Sequence, residues 1–480
     1  MTKTILISAD HGMAIIYFLQ SDVVKNLLAA GVRVVLLTDD EIVERINSTF
    51  GQEGLVIEGL KLAQANQYAQ KHHPRIQWLL AYLRRVGSSW RINTQAQDSH
   101  IFEVWKENGL KFKLGVLMPA AVAIMALRAS AYARKLLVRL QTKFDPGIYQ
   151  DIFDKYQPSL VIASTAGWRL DRYLLREAKR LGIETMACIV GWDNPSSYAI
   201  PGAPIDWANC WSQQQKRELV DGADWRPDHV NIGGIPSYDG YIKKLWQLPK
   251  SEYFALHGLD EKKKLIAYAC SFVHFAPNYP NILAIAELIA QGSIEQDAQL
   301  LIRLHPSHFQ NKPAIFAKER DQIFGLESKY PFIHVVRPKA LGGSLGYYGG
   351  EDMDEKSSMM AHADVFITVY STMVVETAVH DTPIIAAVID TPGGWNVPGK
   401  FSLALKEIGD WPTHQRFRDA KAGRVAENSE QLGNAINLYL KDSSIDGAER
   451  RAFVEEEITF TNGSSGERTA SFILHVLNHS

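Results

Sequence analysis

The chain has 480 residues, 46% of them apolar and 22% charged, with a formal net charge of −2. This length exceeds one ordinary domain and predicts two α/β domains, and the near-neutral charge excludes bulk electrostatic binding of nucleic acid. Its three cysteines, Cys188, Cys210 and Cys270, have no metal-ligand spacing and read as buried thiols of a protein in a reducing cytoplasm.

The first apolar run, 4–9, suits a β-strand better than a secretory signal. It opens an alternation of helix over 13–30, strand over 32–38 and helix over 41–50. Asp10-His11-Gly12 follows the first strand. Gly12 permits a tight turn. An imidazole suits proton transfer near neutral pH, which makes His11 a candidate general base, with Asp10 its competitor or orienting partner. The competing reading is a structural histidine at a turn.

The rhythm then breaks. Residues 71–143 hold thirteen Lys/Arg against three acids (Asp98, Glu103, Glu107), a local +10. Rich in Trp, Tyr, Leu and Met, the segment predicts helices inserted into the first domain. A basic, aromatic, amphipathic surface suits acidic lipid or an anionic acceptor; the alternative is a solvated helical insertion. The longest uncharged apolar stretch, 114–127, contains Pro119 and is shorter than the ~20 residues a membrane span needs. A soluble or peripheral protein is expected.

Strands over 160–164, 185–190 and 230–233 alternate with helices over 170–181 and 213–219, which means βαβ units and a parallel sheet. Gly191-Trp192-Asp193-Asn194-Pro195 closes one of these strands. Asp193 there is a second candidate base, although the same letters spell a simple turn. The mixed stretch 234–262 reads as a connection.

The alternation then restarts, with strands over 264–270, 299–304, 333–336, 365–369 and 383–388 and helices over 281–291 and 372–380. A further helix ends over 358–363. Strand 299–304 runs into Arg303-Leu304-His305-Pro306, and strand 365–369 into Ser371-Thr372 and a helical turn bearing Glu376. Ligands of open α/β sheets bind at such strand ends. Arg303, His305, Ser371 and Thr372 suit a phosphate, Glu376 suits a ribose diol, and Ser271 at the end of strand 264–270 is counted with them. An N-cap at Ser371 or Thr372 would serve the helix without any ligand.

Three further motifs weigh less. Residues 342–350 hold five glycines without a phosphate-loop pattern and read as a loop beside the site. Asp352-Met353-Asp354 has the look of a metal-binding pair, but a helix-capping role is favoured, and no metal or other cofactor is expected. His414-Gln415-Arg416-Phe417-Arg418 reads as a solvated helix start, or as a segment closing over the site.

The predicted architecture is therefore two Rossmann-like domains. An N-terminal acceptor domain spans 1–245 with its insertion at about 65–145, a nucleotide-sugar domain spans 255–450, and a last helix within 451–480 packs back toward the first domain. This pattern resembles the GT-B glycosyltransferases of bacterial surface-polysaccharide synthesis. That branch includes the CDP-glycerol glycerophosphotransferases and the His-Pro-motif sialyl- and Kdo-transferases. The resemblance covers about the last 220 residues. It rests on His305-Pro306, on Ser371-Thr372, and on the tail segments 433–440, 450–453 and Asn462-Gly463-Ser464-Ser465-Gly466-Glu467-Arg468. It implies that the His-Pro and Ser/Thr motifs hold the donor's nucleotide phosphate, with cytidine donors (CMP, CDP) favoured over UDP. Those sialyltransferases carry their base in an acidic pair followed by Gly, whereas this chain has His11 in the second place.

The expected function is an inverting, metal-independent glycosyltransferase. Its donor would be a nucleotide sugar, and its acceptor a glycan or lipid-linked molecule. It would work in the cytoplasm, peripherally at the inner face of the cell membrane. The alternatives are a nucleotide-sugar 2-epimerase of the same fold and a non-catalytic nucleotide-sugar-binding subunit of a polysaccharide assembly complex.

Overall fold

The apolar runs build two parallel sheets, one in each of two units. The computed structural model describes residues 3–272, 278–309, 314–338, 352–389 and 405–479, so the glycine-rich stretch 342–350 lies outside the described residues. Unit 1 takes the chain as far as Asp239 and again from Ile458, and unit 2 holds the described chain between Gly240 and Glu457.

The sheet of unit 1 has seven strands: β1 (Thr4–Ser8), β2 (Arg33–Thr38), β3 (Leu55–Gly59), β4 (Leu160–Ala163), β5 (Glu184–Cys188), β6 (Trp207–Cys210) and β7 (Val230–Ile232), in the order β3-β2-β1-β4-β5-β6-β7. The sheet of unit 2 has six: β8 (Lys264–Ala269), β9 (Ala298–Arg303), β10 (Ile333–Val336), β11 (Val365–Thr368), β12 (Ile384–Ala387) and β13 (Arg424–Ala426), in the order β10-β9-β8-β11-β12-β13. All pairs are parallel. Helices cover both faces of such sheets, which is why the central strands read as unbroken apolar runs.

In each sheet the chain works outward from a central strand, returns, and works outward on the other side. The reversal falls between β1 and β4 in unit 1 and between β8 and β11 in unit 2. Successive connections diverge there and leave a crevice at the carboxyl ends of the strands. Register puts the ends level: Ser8 faces Ala163, and Ala269 faces both Arg303 and Thr368.

The basic insertion occupies the return from β3 to β4. Helices Pro74–Val86, Gln95–Glu107, Leu110–Ala129 and Ala131–Gln141 surround a small core of their own that includes Tyr82, Leu83, Val86, Leu117, Ile124 and Leu127. Here the expectation of an apolar stretch too short to span needs correction. Helix Leu110–Ala129 is 20 residues, long and apolar enough by length and composition to cross a membrane. The lysines at 111 and 113 hid its first turn. A wide π turn over Lys113–Leu117 precedes Pro119. It lets the helix run on where the proline ring would strike the carbonyl four residues back.

Other boundaries also moved. The helix expected over 13–30 is two, Gly12–Leu19 and Asp22–Ala29, because Ser21 caps the second by accepting from the Val23 N–H at 3.2 Å. The stretch expected as a connection carries helix Lys250–His257 behind Pro249, within unit 2.

Within unit 1, helix Ser465–His479 packs on Asp22–Ala29. The contact is close enough that a Cβ on Gly466 would stand 3.0 Å from the Asp22 backbone nitrogen. Buried Asp239 accepts from the N–H groups of Ser465 at 3.1 Å and Gly466 at 2.7 Å. Two bonds to a carboxylate at a helix N-terminus satisfy donors that would otherwise be orphaned. Asp239→Ala should therefore lower unfolding stability by ~1–3 kcal/mol, while Asp239→Asn, which keeps one acceptor, should lose less. Urea denaturation of the three proteins checks this, and equal stability of all three would mean the helix is held by packing alone.

Candidate active site

In unit 1 the crevice between β1 and β4 is lined by a charged cluster. Asp10 is buried, accepting from Ser164 Oγ at 3.0 Å and Arg169 Nε at 2.9 Å. His11 Nδ1 stands 3.0 Å from its Oδ1. Burial alone would raise the Asp10 carboxyl, but His11 and the Arg169 charge outweigh it and bring the group down to about 2. Asp10 is thus a weak base at neutral pH and is placed to hold and orient the His11 ring.

Asp171 shares this ground and was not foreseen. It opens helix Asp171–Arg180, is fully buried and accepts from Thr165 Oγ1. Its other oxygen has no partner among the described residues. Burial, with the Asp10 charge adding to it, pushes Asp171 up to about 7. One carboxylate has two hydrogen-bond donors with the His11 ring beside it and its neighbour has one, which drives their proton affinities apart.

Asp193 stands apart from Asp10. It precedes helix Asn194–Tyr198, and burial holds its carboxyl above the usual range, with Arg85 opposing. Asn194 Oδ1 accepts the Gly191 N–H at 3.0 Å, so the turn spelled by these letters is formed. Aromatic rings link the two acids: Arg169 lies over Trp168 at 5.3 Å, Trp168 stacks on Tyr198 at 4.6 Å, and Arg85 covers Tyr198 at 4.9 Å.

In unit 2 the crevice between β8 and β11 receives Ser271 from β8, His305 from the β9 end, and Ser371 and Thr372 after β11. The Ser307 N–H donates to His305 Nδ1 at 3.1 Å. Burial, then the positive surroundings of His308, Arg303 and Lys356, pushes His305 down to about 3. The ring is neutral with its proton on Nε2, and so presents a donor. A buried network fixes this corner: the Ser271 N–H donates to Asn278 Oδ1 at 2.8 Å, the Asn278 N–H to Glu319 at 2.7 Å, and His308 Nε2 meets Glu319 at 2.9 Å. Ser271 thereby serves to join β8 to that network.

Arg303 has a different task from the one its position suggested. Its guanidinium is buried against two carboxylates, Asp352 at 2.5 Å and Glu355. Asp352 in turn makes no side-chain cap on helix Met353–His362, so the expected capping role is replaced by this ion pair. Lys356, one turn after Asp352, pairs with Glu376 Oε2 at 2.5 Å and adds to the positive surroundings of His305. Tyr241 Oη donates to the same oxygen at 2.8 Å. Ser371 Oγ accepts the Met373 N–H at 3.3 Å, while Thr372 makes no side-chain cap. His414 is not solvated. It is buried and stacks on Tyr370 at 4.8 Å, while Arg416 is tied to Glu457 at 2.5 Å. Arg450 of the tail is likewise structural, bonded to Asp381 at 3.2 Å and to the Ile445 carbonyl at 2.8 Å.

The Asp10–Asp171 pair makes a pH prediction. Asp171 is raised above its unfolded value, so the unfolded chain sheds a proton that the folded chain retains. Stability from this group is full below about pH 4 and is lost as pH rises toward about 7. Asp10 has the opposite sign: its stabilisation is present above about pH 4 and is lost only as pH falls toward about 2. Asp171→Asn removes the first titration alone. Its melting temperature should gain on that of the wild type between about pH 5 and pH 8. Parallel profiles would show that Asp171 is ionised throughout.

No protein-family profile matches the sequence, and no curated protein sequence matches it. Solved structures do share its fold. The chain is similar to UDP-GlcNAc 2-epimerase from Neisseria meningitidis, solved bound to UDP-GlcNAc, with a TM-score of 0.54 at 10% identity over 100% of both chains. It is similar to UDP-GlcNAc 2-epimerase from Methanocaldococcus jannaschii, with a TM-score of 0.52 at 13% identity over 100% of both chains. A glycosyltransferase from Rickettsia africae gives 0.51 at 11% identity over 100% of this chain and 98% of that one. At such identities the likeness speaks for architecture: this chain has the GT-B fold of two Rossmann-like domains.

Proposed function

We propose that the protein is an inverting, metal-independent glycosyltransferase that uses a nucleotide-sugar donor. The observation that carries the reading is the polar corner at the β8–β11 reversal of unit 2. There a neutral His305 offers an Nε2–H, Ser371 and Thr372 offer hydroxyls, Lys356 supplies positive charge and Glu376 supplies a carboxylate for a ribose diol. These groups suit a nucleotide phosphate and its sugar, and Lys356 takes the part first given to Arg303.

In the proposed reaction an acceptor hydroxyl attacks the anomeric carbon of the donor. Its proton passes to His11, which Asp10 orients, as the bond from that carbon to the phosphate oxygen breaks. Charge that develops on the departing nucleotide is met by His305 Nε2–H, Lys356 and the two hydroxyls, preorganised donors of the kind that contribute most to such catalysis. Asp193 is the alternative base. Cytidine donors are the first to test. The acceptor class, a surface-polysaccharide or lipid-linked molecule, is supported by the basic helical insertion, which an epimerase working on the donor alone would not use.

Incubation with CMP-, CDP-, UDP- and GDP-sugars tests the reading. Turnover of one donor is expected, and His305→Ala should cut it about 10²–10³-fold without loss of fold. No turnover and no nucleotide binding at millimolar levels would sink the proposal. Solvent deuterium entering the donor sugar without any acceptor would replace it with the epimerase.

We also propose that the protein works at the inner face of the cell membrane. On helix Leu110–Ala129 a stripe of Leu110, Leu114, Met118, Val122 and Met125 is at least half exposed beside Lys111 and Lys113. Basic groups near an acidic surface contribute ~1 kcal/mol each and are screened within a Debye length. Co-sedimentation with acidic vesicles is expected at low salt and should fall steeply as salt rises. Protein left in the supernatant with acidic vesicles at low salt would return the enzyme to the cytosol.

A further inference from the structure

Between the helical insertion of unit 1 and the Trp168 and Tyr198 rings lies a half-open cavity of ≈ 950 Å³. One end is formed by the stacked rings of Trp168 and Tyr198, the pair that adjoins Arg169 and hence Asp10. The other end is apolar: Trp78 stacks on Tyr82 at 5.4 Å and meets Phe112 edge-on at 5.6 Å. Phe112 and Val116, also in the lining, belong to helix Leu110–Ala129, whose far side carries the exposed apolar stripe.

The lining holds three arginines, Arg75, Arg84 and Arg85, and no carboxylate. Arg84 is the unusual one. It is buried, donates to the Gly167 carbonyl at 2.9 Å and the Trp168 carbonyl at 3.3 Å, and has no carboxylate within ion-pair distance among the described residues. Its Nε is buried without a partner among the described residues, as is Trp168 Nε1. Burial, with Arg172 adding to it, outweighs the more distant Asp171 and pulls the Arg84 guanidinium down to about 9. A buried cation without a counter-ion is a costly arrangement. Arg134 in the same insertion shows the usual remedy, a double bond to Asp224 at 2.6 and 2.9 Å. The cavity thus joins an anion-seeking end to an apolar end that reaches the exposed helix.

We infer that this cavity is a binding site for a long-chain lipid phosphate, its phosphate set against Arg84, Arg85 and Trp168 Nε1 and its chain running out past Trp78 and Phe112. Naming that ligand the acceptor rests on the transferase reading; the binding itself does not, and it is measured without donor.

Dodecyl phosphate below its micelle concentration is the probe, followed by tryptophan fluorescence and titration calorimetry on the full chain. Saturable binding is expected. Inorganic phosphate should bind at least about a hundredfold more weakly, since it buries no chain. Dodecanol should bind at least about tenfold more weakly, since it offers no anion to Arg84. Arg84→Met should cost dodecyl phosphate about tenfold or more and leave dodecanol unchanged. Should that variant not fold, Arg85→Ala, a change at a half-buried position, is measured in its place against the same pair of ligands. Equal affinity for dodecyl phosphate and dodecanol, or equal affinity of wild type and variant for dodecyl phosphate, would overturn the assignment, as would no saturable binding. Inorganic phosphate binding as well as dodecyl phosphate would instead mark a site for a soluble phosphate and overturn the lipid. Binding here with no transfer from any nucleotide sugar would leave the site standing and remove the transferase.

Discussion

The constraint on which the rest depends is the reversal of strand order, made once in each sheet. A parallel sheet buries both faces, so only its edges and strand ends can meet a ligand. Where connections leave in one direction on both sides, neighbouring loops pack together and close the strand ends. Where they diverge, the ends stay open. The two open places lie after β1 and β4 and after β8 and β11. Asp10, His11, Ser164 and Arg169 gather at the first, and Ser271, His305, Ser371 and Lys356 at the second. Within each sheet the strand ends are level, because the registers align Ser8 with Ala163 in the first and Ala269 with Arg303 and Thr368 in the second.

An open strand end is polar, yet much of what surrounds it is buried, so each charge there depends on how many partners it finds. Asp10 has two hydrogen-bond donors and the adjacent His11 ring and is held below the usual carboxylate range; Asp171 has one donor and is pushed up toward neutrality. Arg303 has two carboxylates, while Arg84 has two carbonyls and, among the described residues, no carboxylate within ion-pair distance. The satisfied members, Asp10 and Arg303, act as fixed supports: the first orients His11, and the second clamps helix Met353–His362 to the end of β9. Groups in deficit are where a proton or an outside anion has most to contribute. Lys356 is intermediate, since its partner Glu376 also takes a bond from Tyr241 on the same oxygen.

Much of this frame was legible in the sequence because the central strands are apolar throughout and end abruptly in polar letters. That pattern located β1, β4, β8, β9 and β11, and with them Asp10, His305 and Ser371. The strands β3, β6 and β13 escaped because they lie toward the sheet edges, are short, and mix Glu, Asn or Arg into their runs. What could not be read were the pairings made over distance. Nothing near Arg303 announces that Asp352 and Glu355, about fifty residues on, will neutralise it. Asn278, Glu319 and His308 each look ordinary alone, and only the fold makes them one network. Asp171 is a favourable acidic residue in the first turn of its helix, and its burial beside Asp10 is a tertiary fact.

The insertion follows from the same geometry. The return from β3 to β4 is the one connection of unit 1 that must cross the reversal, so a segment spliced there hangs beside the open strand ends. Its helix Leu110–Ala129 is apolar on two sides, a pattern that ordinarily means burial all round. One side is covered: Leu117, Ala120, Ile124 and Leu127 pack into the insertion's own core. The other is bare, and the cavity opens between that core and the Trp168–Tyr198 pair. Such a stripe, set among lysines and arginines, is stable in contact with an apolar phase that carries negative charge at its surface. From Trp78 and Phe112, through the cavity, to Trp168 and its neighbour Arg169, the surroundings pass from apolar to charged. An amphiphile entering it would meet its matching environment at each step, arriving with its head group nearest the groups able to do chemistry.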